Sequence, residues 1–369
     1  MDYLSRLEKI YDAMDESGIA TVMFEDCEAR RDSTIRWLTG HPADALLFLS
    51  SGRRSVLVPW DTIMAKAHAR ADEIIPYNDF DRSSAKAAQA VIERIAPAPG
   101  STIEVPPATP HPLFMDYAER IRGFDLVCRD KCVAEKALAY RAVKDDAEIA
   151  LLRKAADITG GIIDTIEAGV RSGEIKTESD AALLIERESR RLGCEGTGFE
   201  TLAAGPQRSF GIHAFPPWTA GPFGTKGLSI LDFGLRFEGY TTDVTLTFVR
   251  DPSPGQSEMV ALVKEAAEVA KASLKPGNGT GDTALSVEKF FAKYGREMAH
   301  GLGHGVGLDV HESPFLRSRG TSWEMRPGMV VAVEPGLYDQ AYGGCRLEND
   351  FLITESGCEM ITRSRIVEL

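Results

Sequence analysis

Two aspartates in one short stretch could share a proton or a metal cation. They are Asp232 and Asp243, in residues 228–249, LSILDFGLRFEGYTTDVTLTFV. Residues 229–235 are apolar and read as a strand. Residues 240–249 alternate Thr or Asp with Val, Leu and Phe, the period-2 pattern of a half-buried strand. With Phe237-Glu238 as a two-residue loop, Asp232 faces Asp243 directly, and their Cβ atoms stand roughly 5 Å apart. A turn shifted by one residue makes them diagonal neighbours. Carboxylates that close repel one another unless a proton or a cation neutralises them. The plain alternative is two solvated aspartates on an exposed face.

More donor residues lie downstream. The run HGLGHGVGLDVHE holds His300, His304 and His311, and its four glycines up to Gly307 disfavour a stable helix and let backbone approach a site closely. His213 precedes them in HAFPP. Glu334 ends the apolar run MVVAVEPG, where an unpaired charge is costly. A salt bridge to Arg346 would satisfy it, and so would a metal. GGCRLEND supplies Arg346 and Glu348. Asp232, Asp243, His304, Glu334 and Glu348 together offer four carboxylates and one imidazole. That hard, oxygen-rich set suits Mn²⁺ or another borderline divalent ion and disfavours a closed thiolate zinc site. Two divalent ions balance the charge if some carboxylates bridge. Held roughly 3.5–4 Å apart, such ions bind a bridging water, lower its pKa and polarise a carbonyl. The remaining histidines are then free to hydrogen-bond substrate and a tetrahedral oxyanion.

The elements that position these residues follow from pattern and length. The chain has 369 residues, enough for about two domains. Its net charge of −13 argues against nucleic acid or an anionic membrane as the main partner. No apolar run approaches a bilayer span, and the N-terminus lacks a secretory pattern. Six scattered cysteines suit reduced thiols in a cytoplasm. Residues 1–133 alternate helices and strands as an α/β unit, with a Pro/Gly break at 96–100 and only single histidines at His41, His68 and His111. Residues 134–369 form a second domain. A long helix starts near Asp145, with Gly160-Gly161 expected to interrupt or bend it. A second follows Thr177, whose side chain and Asp180 form a box-like cap. Helices are also expected over 258–274 and 287–294, and strands over 329–334 and 351–354.

The combination resembles the pita-bread metallopeptidases: aminopeptidase P, prolidase, creatinase and methionine aminopeptidase. The stretches that carry it are LDFGLRFEGYTTDVTLTF, HGLGHGVGLDVHESP, MVVAVEPGLY and GGCRLENDFLIT, with RAVKDDAEIALLRKA and, more loosely, IRWLTGHPADALLFL. The N-terminal domain places the likeness in the aminopeptidase P, prolidase and creatinase branch. The fold it implies is an α/β domain followed by an α+β domain with a curved, mostly antiparallel sheet. It also implies a cytoplasmic homodimer that cleaves peptides with proline in second position, using two divalent ions (Mn foremost, or Co, Zn or Fe). By resemblance Asp243 and Glu348 bridge the ions, Asp232 completes one site, and His304 and Glu334 complete the other. Glu334 also takes a proton from the bridging water. His213, His300 and His311 bind substrate or stabilise the intermediate, and Arg346 supports the ligands or holds the substrate's carboxyl end. Creatinase lacks the full ligand set, which this chain keeps. Leu246 stands where the family usually has Arg, and Asn349 where Asp commonly follows the last glutamate. A family member acting on a non-peptide substrate, or a binding module on an inactive fold, are the other readings.

Overall fold

A computed structural model describes residues 1–96 and 98–369. Pro97, part of the expected Pro/Gly break, lies outside them. The chain divides into two compact units, Met1–Arg141 and Ala142–Leu369.

The first unit is built on a six-stranded mixed sheet. Its strand order is Glu73–Ile74, Arg54–Pro59, Ala45–Ser50, Thr21–Asp26, Thr102–Glu104 and Asp125–Val127. Ala45–Ser50 is buried at every position, as expected of an unbroken apolar run covered on both faces. The helix Tyr3–Ser17 is capped by the Asp2 side chain and stops at Gly18, whose φ of 66° only glycine adopts at no cost.

The second unit carries two main sheets. One has the order Ile366–Glu368, Val244–Arg250, Gly227–Phe233, Leu202–Ala204; the other Glu312–Leu316, Gly303–Gly305, Val330–Val333, Asn349–Ile353, Cys358–Met360. The pairings in both are antiparallel, except that Val244–Arg250 runs parallel to Ile366–Glu368. Each sheet buries an apolar face against a helix pair. Helices Asp146–Ser172 and Glu178–Arg191 pack Ile162, Ile166 and Ile185 onto Leu231, Phe233 and Phe248. Helices Pro254–Ser273 and Thr280–Ala292 pack Val263 and Phe291 onto Val331 and Phe351. Both thus begin a few residues before the expected positions, the first with a Ser253 capping box and Pro254 in its opening turn.

Two expectations are corrected. Gly160-Gly161 does not break the first helix, which runs unbroken for 27 residues. Gly160 instead makes room for Arg363, whose Nε would lie 2.1 Å from an added Cβ. The strand Val244–Arg250 is not half-buried: its Thr face is covered too, with Thr245 and Thr247 fully buried. That face meets the other sheet. Thr245 forms a β-bridge with Glu348, and the Thr247 hydroxyl donates to Arg346 O (2.8 Å) while accepting from Arg346 N (3.1 Å).

Candidate metal centre

The hairpin register differs from the sequence reading. Phe237 pairs with Tyr240, so the two-residue loop is Glu238-Gly239, with φ of 47° and 89°. Positive φ at both positions matches the right-handed twist of the flanking strands. Asp232 therefore opposes Thr245, and Asp243 is its diagonal neighbour.

The five donors nevertheless converge from five segments. Asp232 lies on Gly227–Phe233, and Asp243 just precedes Val244–Arg250. His304 is central in Gly303–Gly305, opposite Ala332. Glu334 follows Val330–Val333 and is anchored by its N–H donating to Leu302 O (2.9 Å). Glu348 precedes Asn349–Ile353. Three overlapping triads result: Asp232, Asp243 and Glu348; His304, Glu334 and Glu348; Asp243, His304 and His311. Within each triad the donor atoms lie within 4.8 Å of one another.

The environment fits a cation. Asp243 and Glu348 are almost wholly buried, at 4% and 2% exposure. Burial, then the surrounding carboxylates, pushes the pKa of each well above the ordinary range. Burial raises Glu334 to about 7. Asp232 Oδ1 is buried with no hydrogen-bond partner. Burial lowers His304 to about 3, and its Nδ1 lies 3.1 Å from Gly305 O. Since a carbonyl only accepts, Nδ1 carries the proton and Nε2 offers a lone pair. Nε2 faces Asp243 Oδ2 at 3.5 Å and Glu334 Oε1 at 3.9 Å.

The raised Glu334 pKa has a consequence for metal-free protein. A group whose folded pKa exceeds its unfolded value stabilises fully below the unfolded value and loses that contribution as pH rises through the folded one. The stability of apo wild type relative to apo Glu334→Gln should therefore fall from about pH 4.5 to about pH 7. Paired thermal melts across that range check it; a flat or rising difference contradicts it.

Arg346 does not pair with Glu334, as the simpler reading had it. Its Nη2 donates to Asp232 Oδ2 at 2.5 Å. Nε reaches Thr245 Oγ1 (2.9 Å), and Nη1 reaches Ile212 O (3.1 Å) and the Tyr338 hydroxyl (2.6 Å). At 1% exposure, this guanidinium is committed to holding Asp232 rather than open to a substrate carboxylate. His300 is also engaged at both nitrogens, by Gly301 O at 2.8 Å and the Tyr338 hydroxyl at 3.0 Å. His311 is exposed and stacks edge-on against His304, ring centroids 4.1 Å apart. His213 is exposed on the segment after Ile212.

Sequence reasoning passed over three supporting residues. Thr245 Oγ1 donates to Glu348 Oε2 (2.6 Å). Tyr338 links Arg346 to His300. Asp350 Oδ2 accepts from Asp243 N (3.0 Å), and burial raises its pKa to about 8. The period-2 spacing of Asp243 and Thr245 was the available signal for the first. The two departures from the family pattern are structural. Leu246 is fully buried in the core. The Asn349 amide donates to Ser364 O (3.2 Å) and accepts from Ser364 N (2.7 Å), and Asp could make only the second of these bonds.

Residues 150–355 match metallopeptidase family M24. The chain belongs to that family. It is 30% identical to the uncharacterized peptidase YqhT of Bacillus subtilis, over 97% of this chain and 98% of that one. It is 32% identical to the Xaa-Pro dipeptidase of Pyrococcus horikoshii, over 61% of this chain and 63% of that one. Its fold is shared by the crystal structure of the prolidase from Pyrococcus horikoshii OT3, with TM-score 0.84, 24% identity and 98% of each chain covered. The Xaa-Pro dipeptidase from Bacillus anthracis superposes with TM-score 0.85 at 24% identity over the whole of both chains. The M24 protein described here is therefore a metallopeptidase with the pita-bread fold. Its six cysteines are free, and among the described residues no helix is long and apolar enough to cross a membrane.

Proposed function

We propose that this M24 protein is a two-metal Xaa-Pro peptidase that hydrolyses the bond between an N-terminal residue and proline. The observation that carries the reading is the convergence of Asp232, Asp243, His304, Glu334 and Glu348 in overlapping triads. Asp243 and Glu348 each belong to two triads, which suits bridging carboxylates. Asp232 would then complete one site, and His304 and Glu334 the other. The relatives named Xaa-Pro dipeptidase support the substrate class. Mn²⁺ suits four carboxylates and one imidazole, with Co, Zn or Fe as substitutes.

When bound, the ions supply a water of near-neutral pKa and polarise the scissile carbonyl. The chain's own groups do the rest. Glu334, held at the mouth of the cluster, takes the proton from the attacking water and passes it toward the leaving amine. His311 and His213 hydrogen-bond the carbonyl oxygen as it gains charge. Tyr338 fixes His300 beside Glu334, 3.8 Å from its Oε2. Arg346 keeps Asp232 aimed.

The test is activity of reconstituted protein, with elemental analysis, on Xaa-Pro dipeptides, longer Xaa-Pro peptides and Xaa-Ala controls. About two divalent ions per chain and cleavage confined to Xaa-Pro bonds are expected. Absence of tight metal under every loading condition overturns the reading, and so does full metal with no Xaa-Pro cleavage.

A further inference from the structure

We propose that Glu178, which contributes nothing to the donor cluster, is a positioning residue that clasps both ends of the segment 205–219 and so holds His213 beside the metal centre. The inference rests on the peptidase reading above.

Glu178 opens the helix Glu178–Arg191, after its Thr177 cap. Its position in a first helical turn is what a macrodipole favours in an acid, and that is the plain account. The side chain does something further. Oε1 accepts from Gly205 N (2.7 Å) and Arg208 Nε (3.1 Å). Oε2 accepts from Thr219 N (2.7 Å) and Thr219 Oγ1 (2.6 Å). Two bonds per oxygen use the carboxylate's full capacity. Glu178 is 1% exposed, so the charge is tolerable only because every bond is made. One carboxylate thus gathers residues 205, 208 and 219, and Arg208 also reaches Pro216 O across the loop. Closed ends and an irregular interior are the marks of a compact surface loop.

Packing holds the loop only in part: Ala214 packs against the buried Leu202, Ala204 and Ile230, but the loop's aromatic side chains do not. Phe210, Phe215 and Trp218, its large apolar side chains, are 41%, 91% and 36% exposed. On the side of the metal centre the loop is pinned at two points. Ile212 O accepts from Arg346 Nη1, and Ser209 Oγ accepts from Gly344 N at 3.2 Å. His213 follows Ile212 directly and is itself exposed. The loop is therefore stretched between a buried carboxylate and the arginine that holds Asp232, with His213 at the pinned edge.

Glu178→Gln keeps the shape but turns one acceptor oxygen into a donor. The experiment compares it with wild type, in the metal-loaded state, by hydrogen exchange of amides 205–219, metal content and steady-state kinetics, each alone and combined with His213→Ala. Exchange in the segment should speed by at least about tenfold while metal content holds. kcat/KM should fall on the order of 10–100-fold. In the His213→Ala background the same substitution should cost almost nothing, because its effect passes through His213. An equal loss in both backgrounds, or unchanged exchange, overturns the proposal. Arg208→Met cuts one arm of the clasp and serves if Glu178→Gln does not fold. Should wild type cleave no Xaa-Pro peptide, the function proposed above falls, while exchange still decides whether Glu178 sets the loop.

Discussion

Asp243→Asn is expected to lose bound metal and activity together. Asp243 sits in two of the three donor triads and is 4% exposed, so no solvent carboxylate can stand in for it. The amide preserves volume but has one neutral oxygen, which cannot bridge two cations. Removing a partner one step out from a metal commonly costs 10–100-fold, so if Asp243 is the bridging ligand proposed above its loss should exceed about 10²-fold in kcat. Metal-free protein provides the control. In the apo state Asp243 is repelled by Glu348 and Asp232, and burial alone already disfavours its charge. Apo Asp243→Asn should therefore melt no lower than apo wild type. Lost metal with an undiminished apo melting temperature assigns the defect to ligation and not to folding. Full metal and full activity in the variant would remove Asp243 from the ligand set.

His311→Ala should give the opposite pattern: near-normal metal, a folded protein and a kcat lower by about 10²–10⁴-fold. The ring packs against His304 yet is exposed on its other side, where a substrate carbonyl would approach. Partial burial lowers its pKa, so at neutral pH it is an uncharged imidazole that can donate one hydrogen bond. Equal falls in kcat and kcat/KM would mean that the bond is made only in the transition state; a raised KM alone would mean ground-state binding. The triad with Asp243 and His304 offers a competing role as a metal donor. Elemental analysis separates the two, since a ligand's loss empties the site and a substrate contact's loss does not.

How much of this was legible depended on the kind of information required. That Asp232, Asp243, His304, Glu334 and Glu348 come together was readable because Asp, Glu and His at the ends of apolar runs have few inexpensive explanations. The register was not, because Phe-Glu-Gly accommodates either two-residue loop, and the choice lies in the positive φ of Glu238. The threonines after Asp243 looked like a solvent face because alternation reports polarity and not exposure. Only the docking of the second sheet shows that Thr245 and Thr247 serve Glu348 and Arg346. For the same reason Arg346 could not be matched with Asp232, which lies 114 residues away in sequence. Gly160 looked like a helix breaker because the Arg363 side chain it accommodates arrives from the far end of the chain. Glu178 was not singled out, since its partners are set by a loop without periodicity.

The seam between the two sheets also fixes when a cation can first be captured. Thr245 and Glu348 meet across it although 103 residues separate them. At ordinary rates of protein synthesis that interval is about 5–20 s. For that interval Asp232 and Asp243 have been made, but the strand that brings Glu348 to them does not yet exist. A growing chain therefore holds a pair of carboxylates and no cage, and it competes poorly for scarce ions. If these carboxylates hold the metal, the cage that takes it up would be complete only once that strand has docked.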